Sequence, residues 1–419
     1  MPELPSLTAS QRRWLLEDAH RLLRGTEPPA RTEDSWTREF LRVQLGFVRR
    51  MRRRFPSGQT WVWTDRSLAQ ASDWWSAQYK AALFPTGEHV ADICCGAGVD
   101  SAAIALRGPI TAQDADPYLL DLMLSNTHAR LGEMNAQNVE IGRESHNEVS
   151  ILAGRFPDLF PKDVAWMHAD PDRRTAVSGN DQKTLNAEQF DPSLTDLLQH
   201  AATVNGAVIK LAPLTRFTQA DTSISTDLEQ LPMLEELAVP WRRIWLSSYD
   251  ECRQQLLVLG NCCPDDMPHG EHRAALCYPI EAEYTGPPQL TAEVSKQPLR
   301  FLYDLHPCLS AASLKGAWAR EHGLEALADH SGYYTSDDAI DSPFAQRLEV
   351  IDVIPWDDRQ VRKWLRKFGA GIVEVKCRLA PVDATQAQKR YSRDTGEQPV
   401  TLVVTRIEKR VRAIACLRT

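Results

Sequence analysis

The spacing of apolar positions divides the chain into a helical first part, an alternating middle part and a mixed C-terminal part. Over residues 1–85 apolar side chains recur every three to four residues, which predicts helices. Pro28-Pro29 and a turn at 55–58 interrupt this pattern, and a further helix is predicted at 67–83. We therefore expect an N-terminal helical domain over residues 1–85.

Residues 86–265 alternate short apolar runs with helical segments, which is typical of a mainly parallel sheet covered by helices. The predicted strands are 90–94, 109–113, 139–142, 164–168, 207–211, 244–248 and 255–260. The last two are close enough in sequence to form a hairpin, so we expect an antiparallel edge on this sheet.

The C-terminal part has shorter elements. Residues 275–342 and 345–419 each combine short apolar runs with a helix, which predicts two small α+β domains. In the second of these the helix predicted at 359–368 carries an arc of cations: Arg362, Lys363, Arg366 and Lys367.

A glycine-containing turn follows the first predicted strand of the middle part. Asp92 lies in that strand, and Cys94-Cys95-Gly96-Ala97-Gly98 leads into a helix of small residues. Glycine at 96 lets the backbone turn sharply, and glycine at 98 lets a ligand lie against bare main chain. The pattern indicates a ligand-binding turn at the carboxyl end of the strand.

The next predicted strand ends in Asp114-Ala115, where a carboxylate of a βαβ unit can accept hydrogen bonds from a ribose diol. This indicates a cofactor that contains a nucleoside. A dinucleotide fingerprint needs a third glycine, but Ser101 stands there, and Asp100 beside it would repel a pyrophosphate. Asp92 can instead reach a cationic group, which favours S-adenosylmethionine (AdoMet) over a dinucleotide. A glycine turn that binds no ligand is the alternative.

The fourth predicted strand ends in Asp170-Pro171-Asp172-Arg173-Arg174. Carboxyl ends of neighbouring parallel strands form one crevice, so we expect Asp170 to face the cleft of the glycine turn. A carboxylate and the carbonyls of a rigid Asp-Pro turn can orient an amine for in-line methyl transfer, and the arginines could hold a phosphate or carboxylate. The alternative is a helix-capping turn whose arginines pair with surface acids.

Lys210 lies in the fifth predicted strand, whose other residues are mostly apolar. It either extends to the cleft rim or contacts a substrate phosphate.

Composition and charge narrow the class of protein. The 419 residues carry a net charge of −8, yet residues 356–419 contain fifteen Lys and Arg against seven Asp and Glu. Such asymmetry fits either a polyanion-binding surface or a solvated helix face. The chain has no apolar run of about 18 residues and no signal peptide, so we expect no membrane span.

The chain contains nine cysteines and no C-x-x-C pair. An odd number without that spacing predicts reduced thiols, a cytoplasmic protein and no metal site.

The glycine turn with Asp92, Gly96 and Gly98 resembles motif I of the class I AdoMet-dependent methyltransferases. Asp114 matches the ribose-binding acid of that superfamily, and Asp170-Pro171 is similar to its motif IV in amino-group methylases. Asp172 stands where the family usually has proline or a small residue.

From residue 50 to 419 the order of motifs resembles bacterial class I methyltransferases with a C-terminal ferredoxin-like domain followed by a THUMP-like domain. The segments that carry the C-terminal resemblance are 303–307, 334–336, 353–356 and 371–376.

The resemblance implies an α/β fold: a Rossmann-like, seven-stranded methyltransferase sheet, an N-terminal helical domain and small C-terminal α+β domains. We place the domains at residues 1–85 (helical), 86–265 (AdoMet-binding), 275–342 (ferredoxin-like) and 345–419 (THUMP-like). The resemblance also implies that the partner is RNA (tRNA or rRNA) and that the reaction is N-methylation of a base.

Three groups of site residues follow from the motifs. The cofactor group is Asp92, Cys94, Gly96, Gly98, Asp114 and Ala115. The catalytic group is Asp170, Pro171 and Arg173, and the substrate group is Arg174 and Lys210. Two alternatives remain: a methyltransferase for a small molecule or protein, and an RNA-binding scaffold with a relic AdoMet site.

Overall fold

The computed structural model describes residues 7–24, 35–141, 148–174, 184–215, 234, 237–328, 332–392, 398–407 and 409–419. The chain forms two compact units: residues 1–269 with 275–281, and residues 270–274 with 282–419. The bounds of the four predicted domains stay predictions.

The first unit begins with helices. They are α1 (Ala9–Glu17), α2 (Ala19–Leu23), α3 (Ser35–Met51), α4 (Asp65–Gln70) and α5 (Trp74–Ala82). The helix predicted at 67–83 is two helices, because the side chain of Asp73 accepts a hydrogen bond from the Ser76 amide and so starts α5. Thr64 starts α4 in the same way, through the Ser67 amide.

A sheet follows these helices. Its strands in the first unit are β1 (Val90–Ile93), β2 (Ile110–Asp114), β3 (Val149–Ala153), β4 (Trp166–Ala169), β5 (Gly206–Leu211), β6 (Trp241–Ser248), β7 (Glu251–Gly260) and β8 (His272–Tyr278). The order is β3-β2-β1-β4-β5-β7-β6, and β8 follows β6. The first five strands are parallel, while β7 is antiparallel to both β5 and β6. The predicted α/β class and the antiparallel hairpin are confirmed, and β8 and one further strand add to the predicted seven.

In the described part of the chain, three α-helices lie between the parallel strands: α6 (Val99–Ala105), α7 (Pro117–Ile141) and α8 (Leu194–Ala201). The strand predicted at 139–142 is wrong, because residues 139–141 end α7 and the third strand is β3. An apolar run this short is compatible with either element, and here it continues a long helix.

Both faces of the sheet are buried. Val90 and Val208 pack in one apolar cluster with the N-terminal helices, whereas Ala91 and Ala207 pack in a second cluster with α8. Successive residues of a strand point to opposite faces, so these pairs place a core on each side. The buried strands hold the loops at their carboxyl ends in fixed positions.

The second unit contains a mixed sheet. In this unit β9 (Ala282–Gly286) lies outside that sheet, whose strands are β10 (Val294–Ser295), β11 (Phe301–Leu305), β12 (Glu325–Leu327), β13 (Tyr333–Ser336), β14 (Ala345–Pro355), β15 (Ala370–Cys377), β16 (Gln398–Ile407) and β17 (Arg410–Arg418). Its helices are α9 (Pro307–Ala311), α10 (Lys315–Glu321), α11 (Asp358–Phe368) and α12 (Ala384–Tyr391). Eight of the strands follow the order β10-β12-β13-β11-β14-β17-β16-β15.

One sheet therefore runs through both of the small domains that the sequence predicts. The joint is the antiparallel pairing of β11 with β14, which extends from Phe301 opposite Glu349 to Leu305 opposite Ala345. The main-chain hydrogen bonds of this ladder connect the segment 275–342 to the segment 345–419.

Candidate cofactor and substrate cavity

A cavity of about 890 Å³ lies at the carboxyl ends of the parallel strands of the first unit. Its walls are the turn after β1, the ends of β2 and β4, and residues 64–72 of the N-terminal helical region. Of the predicted site residues, the lining includes Cys94, Gly96, Gly98, Asp114, Ala115, Asp170, Pro171, Arg173, Arg174 and Lys210. This position matches the expected crevice at the strand tips.

The turn after β1 has three residues with positive φ: Cys94 (58°), Gly96 (55°) and Gly98 (82°). A Cβ at Gly96 would meet no atom within 4 Å, so this glycine leaves open space. A Cβ at Gly98 would lie 2.5 Å from Cγ of Met123 on α7. Gly98 is therefore required for close packing of α7. It also lines the cavity, and the approach of a ligand to it stays a prediction.

Asp114 ends β2 at the cavity wall. Its two carboxylate oxygens accept hydrogen bonds from the backbone amides of Gly96 and Asp116, each with a length of 3.0 Å. Burial raises the pKa of Asp114 above its usual value, and the two amides act against that shift. The carboxylate thus links the end of β2 to the glycine turn and keeps acceptor capacity toward the cavity.

Asp92 does not belong to the cavity lining. It is fully buried in β1, where Nδ1 of His168 lies 2.7 Å from one of its oxygens and the Ser101 hydroxyl donates to the other. His168 is the residue of β4 that pairs with Asp92. The carboxylate therefore joins two strands and α6, and its direct contact with a cofactor stays a prediction.

A buried ion pair lies at the cavity wall, where its acid, Asp100, belongs to the lining. Lys80 on α5 is fully buried, and its Nζ is 2.7 Å from Asp100 on α6 and 2.8 Å from the Ser72 hydroxyl. Burial lowers the pKa of Lys80. Burial opposes ionisation of Asp100, but Lys80 and the more distant His168 and Lys210 hold its pKa below the usual value. The pair fixes α5 against α6 and keeps the Asp100 charge compensated.

The pairing of Lys80 with Asp100 was not among the contacts predicted from the sequence. The available signal was a lysine between Ala77 and Ala81 in an apolar helix, since a lysine buried in a helix requires an acidic partner.

Asp170 follows β4, and its backbone amide donates a 3.1 Å hydrogen bond to the Ile93 carbonyl. Its carboxylate lies 2.6 Å from Nζ of Lys210 on β5, and the same Nζ also contacts the Gln70 carbonyl at 3.4 Å. The side chain of Asp170 is 28 % exposed and that of Lys210 is 13 % exposed. Lys210 thus pairs with Asp170 at the cavity. This pairing was not expected from the sequence, which predicted either extension to the cleft rim or contact with a substrate phosphate.

Asp172 connects the loop after β4 to the N-terminal helices. Its carboxylate accepts hydrogen bonds from Arg66 at 2.5 Å and from the Gln70 amide group at 2.9 Å. Its main chain pairs with Asp191 through two 2.9 Å hydrogen bonds. α4 therefore forms part of the cavity wall, a role that was not predicted from the sequence.

Arginines line the same wall. Arg155 is 3.3 Å from Asp191, whereas within the described ranges the Arg173 guanidinium has no hydrogen bond or ion pair assigned to it. Arg66 and Arg174 also contribute to the lining. An arginine without an acidic partner can bind a phosphate or carboxylate of a ligand.

Three general features of the chain bear on its chemistry. All nine cysteines are free thiols, and burial raises the pKa of Cys94 and Cys95, so neither is an activated nucleophile. Over the described ranges, no group of three or more His, Cys, Asp and Glu side chains is arranged to bind a metal ion. No helix in the described part of the chain has the length and apolar character needed to cross a membrane.

Comparison with known proteins agrees with this geometry. Residues 345–418 match the family described as THUMP domain-like. Two uncharacterised S-adenosylmethionine-dependent methyltransferases, from the CDC 1551 and H37Rv strains of Mycobacterium tuberculosis, are each 23% identical over 359 residues. The alignment covers 83% of this chain and 85% of each relative.

A crystal structure of a candidate methyltransferase from Porphyromonas gingivalis W83 has the same fold, with a TM-score of 0.68 at 17% identity over 97% of both chains. The similarity therefore extends over both compact units. The predicted resemblance to AdoMet-dependent methyltransferases with a C-terminal THUMP-like domain is confirmed.

Proposed function

We propose that this AdoMet-dependent methyltransferase methylates a nitrogen of a base in structured RNA. The observation that carries the proposal is one cavity with Asp114 on one wall and the Asp170–Lys210 pair on another, with the glycine turn between them. The first wall suits a nucleoside, and the second suits an amine.

The residues on the first wall fit AdoMet. Asp114 offers carboxylate oxygens at the end of β2, which suits the two ribose hydroxyls. Gly96 leaves open the space that a Cβ would fill. The cofactor, when bound, supplies an electrophilic methyl group on a sulfonium. Asp92, behind the turn, holds β1, β4 and α6 together through His168 and Ser101.

In this proposal Asp170 accepts a hydrogen bond from the amino group to be methylated, and the Pro171 turn keeps that carboxylate in place. The orientation aims the nitrogen lone pair along the line of displacement. Lys210, 2.6 Å away, holds the Asp170 carboxylate in position through their ion pair. Arg173 and Arg174 then hold a phosphate next to the target base.

Support for RNA as the substrate comes from the C-terminal part. THUMP-type domains are associated with RNA-modifying enzymes, and residues 345–418 match such a domain. The cations on α11 extend the basic character of residues 356–419 onto a helix surface: Arg359, Arg362, Lys363, Arg366 and Lys367. Lysine and arginine on one helix can contact successive phosphates.

Mass spectrometry of RNA nucleosides tests the proposal. RNA from cells that lack the protein should lack one methylated nucleoside, and purified protein with AdoMet should restore it. Asp170→Ala should not restore it, although it should still bind AdoMet in calorimetry. If no methylated nucleoside changes, and labelled methyl groups appear in nuclease-resistant material, the substrate is a protein or small molecule.

A further inference from the structure

The second unit contains a group of cations that share a single carboxylate. Asp304 on β11 lies 2.6 Å from Nζ of Lys376 and 2.7 Å from a guanidinium nitrogen of Arg378. Lys315, the first residue of α10, interacts electrostatically with both Arg378 and Asp304. We call Lys315, Lys376, Arg378 and Asp304 the C-terminal cation cluster.

The cluster has more positive than negative charge. Glu374 also interacts electrostatically with Lys376, but its carboxylate lies 2.6 Å from Arg418, which compensates it. Among the described residues, Asp304 is the carboxylate that compensates Lys315, Lys376 and Arg378. Within the described ranges, no hydrogen bond or ion pair is assigned to Lys315.

The cations are partly withdrawn from water. The side chain of Lys376 is 22 % exposed, that of Arg378 is 37 % exposed, and that of Asp304 is 14 % exposed. Burial lowers the pKa of Lys315, and the charge of Arg378 lowers it further. Holding like charges together away from water is costly unless an anion compensates them.

The main chain and an aromatic ring hold this geometry. Arg378 donates to the Gly332 carbonyl, and its guanidinium lies over the ring of Tyr333, 4.7 Å from the ring centre. Lys376 donates to the Gln346 side chain. These contacts orient two of the cations before any ligand arrives, which lowers the entropy that binding would cost.

We propose that the C-terminal cation cluster binds a phosphodiester group of the substrate RNA. The inference rests on the proposed function, because it takes RNA as the methyl acceptor. Phosphate fits the chemistry, since an arginine fork and two ammonium groups can all donate to the same anionic oxygens. The site would hold the RNA backbone and carry no sequence information.

The test measures binding of fluorescently labelled bulk bacterial tRNA to the full chain, by anisotropy at several salt concentrations. Lys315→Gln is the decisive variant. The substitution removes a positive charge, and within the described ranges it breaks no hydrogen bond or ion pair of the Lys315 side chain. Loss of one phosphate contact should lower the slope of log K against log salt by about 0.9, and weaken binding about tenfold near 0.1 M salt.

Lys296→Gln is the matched control, since Lys296 is an exposed lysine of the same unit. It should leave the slope unchanged, and Lys315→Arg should retain most of the affinity. Thermal unfolding of each variant checks that the unit stays folded.

The possible results separate the two proposals. If the wild-type chain binds tRNA and Lys315→Gln binds it with the same affinity and slope, the cluster is not an RNA site. If the wild-type chain binds no RNA even at low salt, the proposed RNA substrate is wrong, and the C-terminal cation cluster is not an RNA site either. If inorganic phosphate at constant ionic strength stabilises the wild type but not Lys315→Gln, and tRNA binding is equal in both, the ligand is a free phosphate instead.

Discussion

Arg66 on α4 donates a 2.5 Å hydrogen bond to Asp172, the residue that departs from the family pattern at motif IV. Gln70, one turn along the same helix, donates to the other oxygen of that carboxylate. The loop that carries Asp170 is thus held by the N-terminal helical region as well as by the sheet. The extra negative charge at position 172 is accounted for by this contact.

We predict that Asp172→Asn slows methyl transfer without weakening AdoMet binding. The substitution weakens the pairing with Arg66 and lets the loop shift, and a shift of about 1 Å can cost about 100-fold in rate. The turnover number and the Michaelis constant should be measured with the RNA that mass spectrometry identifies. Arg66→Lys, which keeps the charge, should lose less activity than Arg66→Gln. An equal fall in AdoMet affinity and thermal stability would instead indicate general disruption.

Acidification should weaken AdoMet binding through Asp114. Its pKa lies above the usual value because it is buried, so the carboxylate takes up a proton at a higher pH than an exposed aspartate. A protonated carboxyl loses acceptor strength for ribose hydroxyls, so affinity should fall as the pH drops through the raised pKa. Calorimetry at a series of pH values measures this.

Asp114→Asn should bind AdoMet about 10- to 100-fold more weakly at neutral pH, which corresponds to the loss of a charged hydrogen bond. The acid-dependent fall should also disappear in this variant. Asp158→Asn, an exposed aspartate outside the cavity lining, serves as the control and should behave as wild type. A wild-type pH profile in Asp114→Asn would contradict the assignment.

The two glycines of the turn should respond differently to alanine. Gly98→Ala places a Cβ 2.5 Å from Met123 at a φ of +82°, so it should reduce folding stability by about 1–3 kcal/mol. Gly96→Ala meets no neighbouring atom and should chiefly weaken AdoMet binding by filling the cavity. Gly58 also has a positive φ (+87°) and open surroundings, and it lies outside the cavity lining, so Gly58→Ala measures the effect of backbone strain alone. Denaturant titration and calorimetry distinguish these effects.

Removing one partner of the buried Lys80–Asp100 pair should destabilise the first unit strongly. Lys80→Met leaves the Asp100 carboxylate buried and uncompensated, at a cost of about 3–5 kcal/mol. The double variant Lys80→Met with Asp100→Asn should be less destabilised than the sum of the two single changes. Arg13→Gln, at an exposed helical pair, should change the unfolding midpoint little. Additive losses at positions 80 and 100 would show that the two do not act as a pair.

The strand tips could be predicted because their signals are local. Gly96, Asp114 and Asp170 each follow a short apolar run, and parallel strands bring such ends to one edge of a sheet. The third strand was misplaced because three residues at the end of α7 have the same apolar character as a strand. Propensity over so few residues does not distinguish the two elements.

The partners of the buried charges could not be predicted in this way. Lys80 and Asp100 come from different helices, and Asp92 turns toward His168 because β1 lies beside β4. Each of these contacts is set by how elements pack and not by the residues around it.

The sequence by itself determined the alternation of strands and helices, the glycine turn, the acids at the strand ends and the basic C-terminal segment. Only the tertiary structure decided that Arg66 reaches Asp172 across 106 positions, that Lys210 pairs with Asp170, and that Lys376 and Arg378 converge on Asp304. The physical reason is that backbone geometry and turns depend on neighbouring residues. The position of a charged side chain depends instead on which distant element buries it and which opposite charge that element brings.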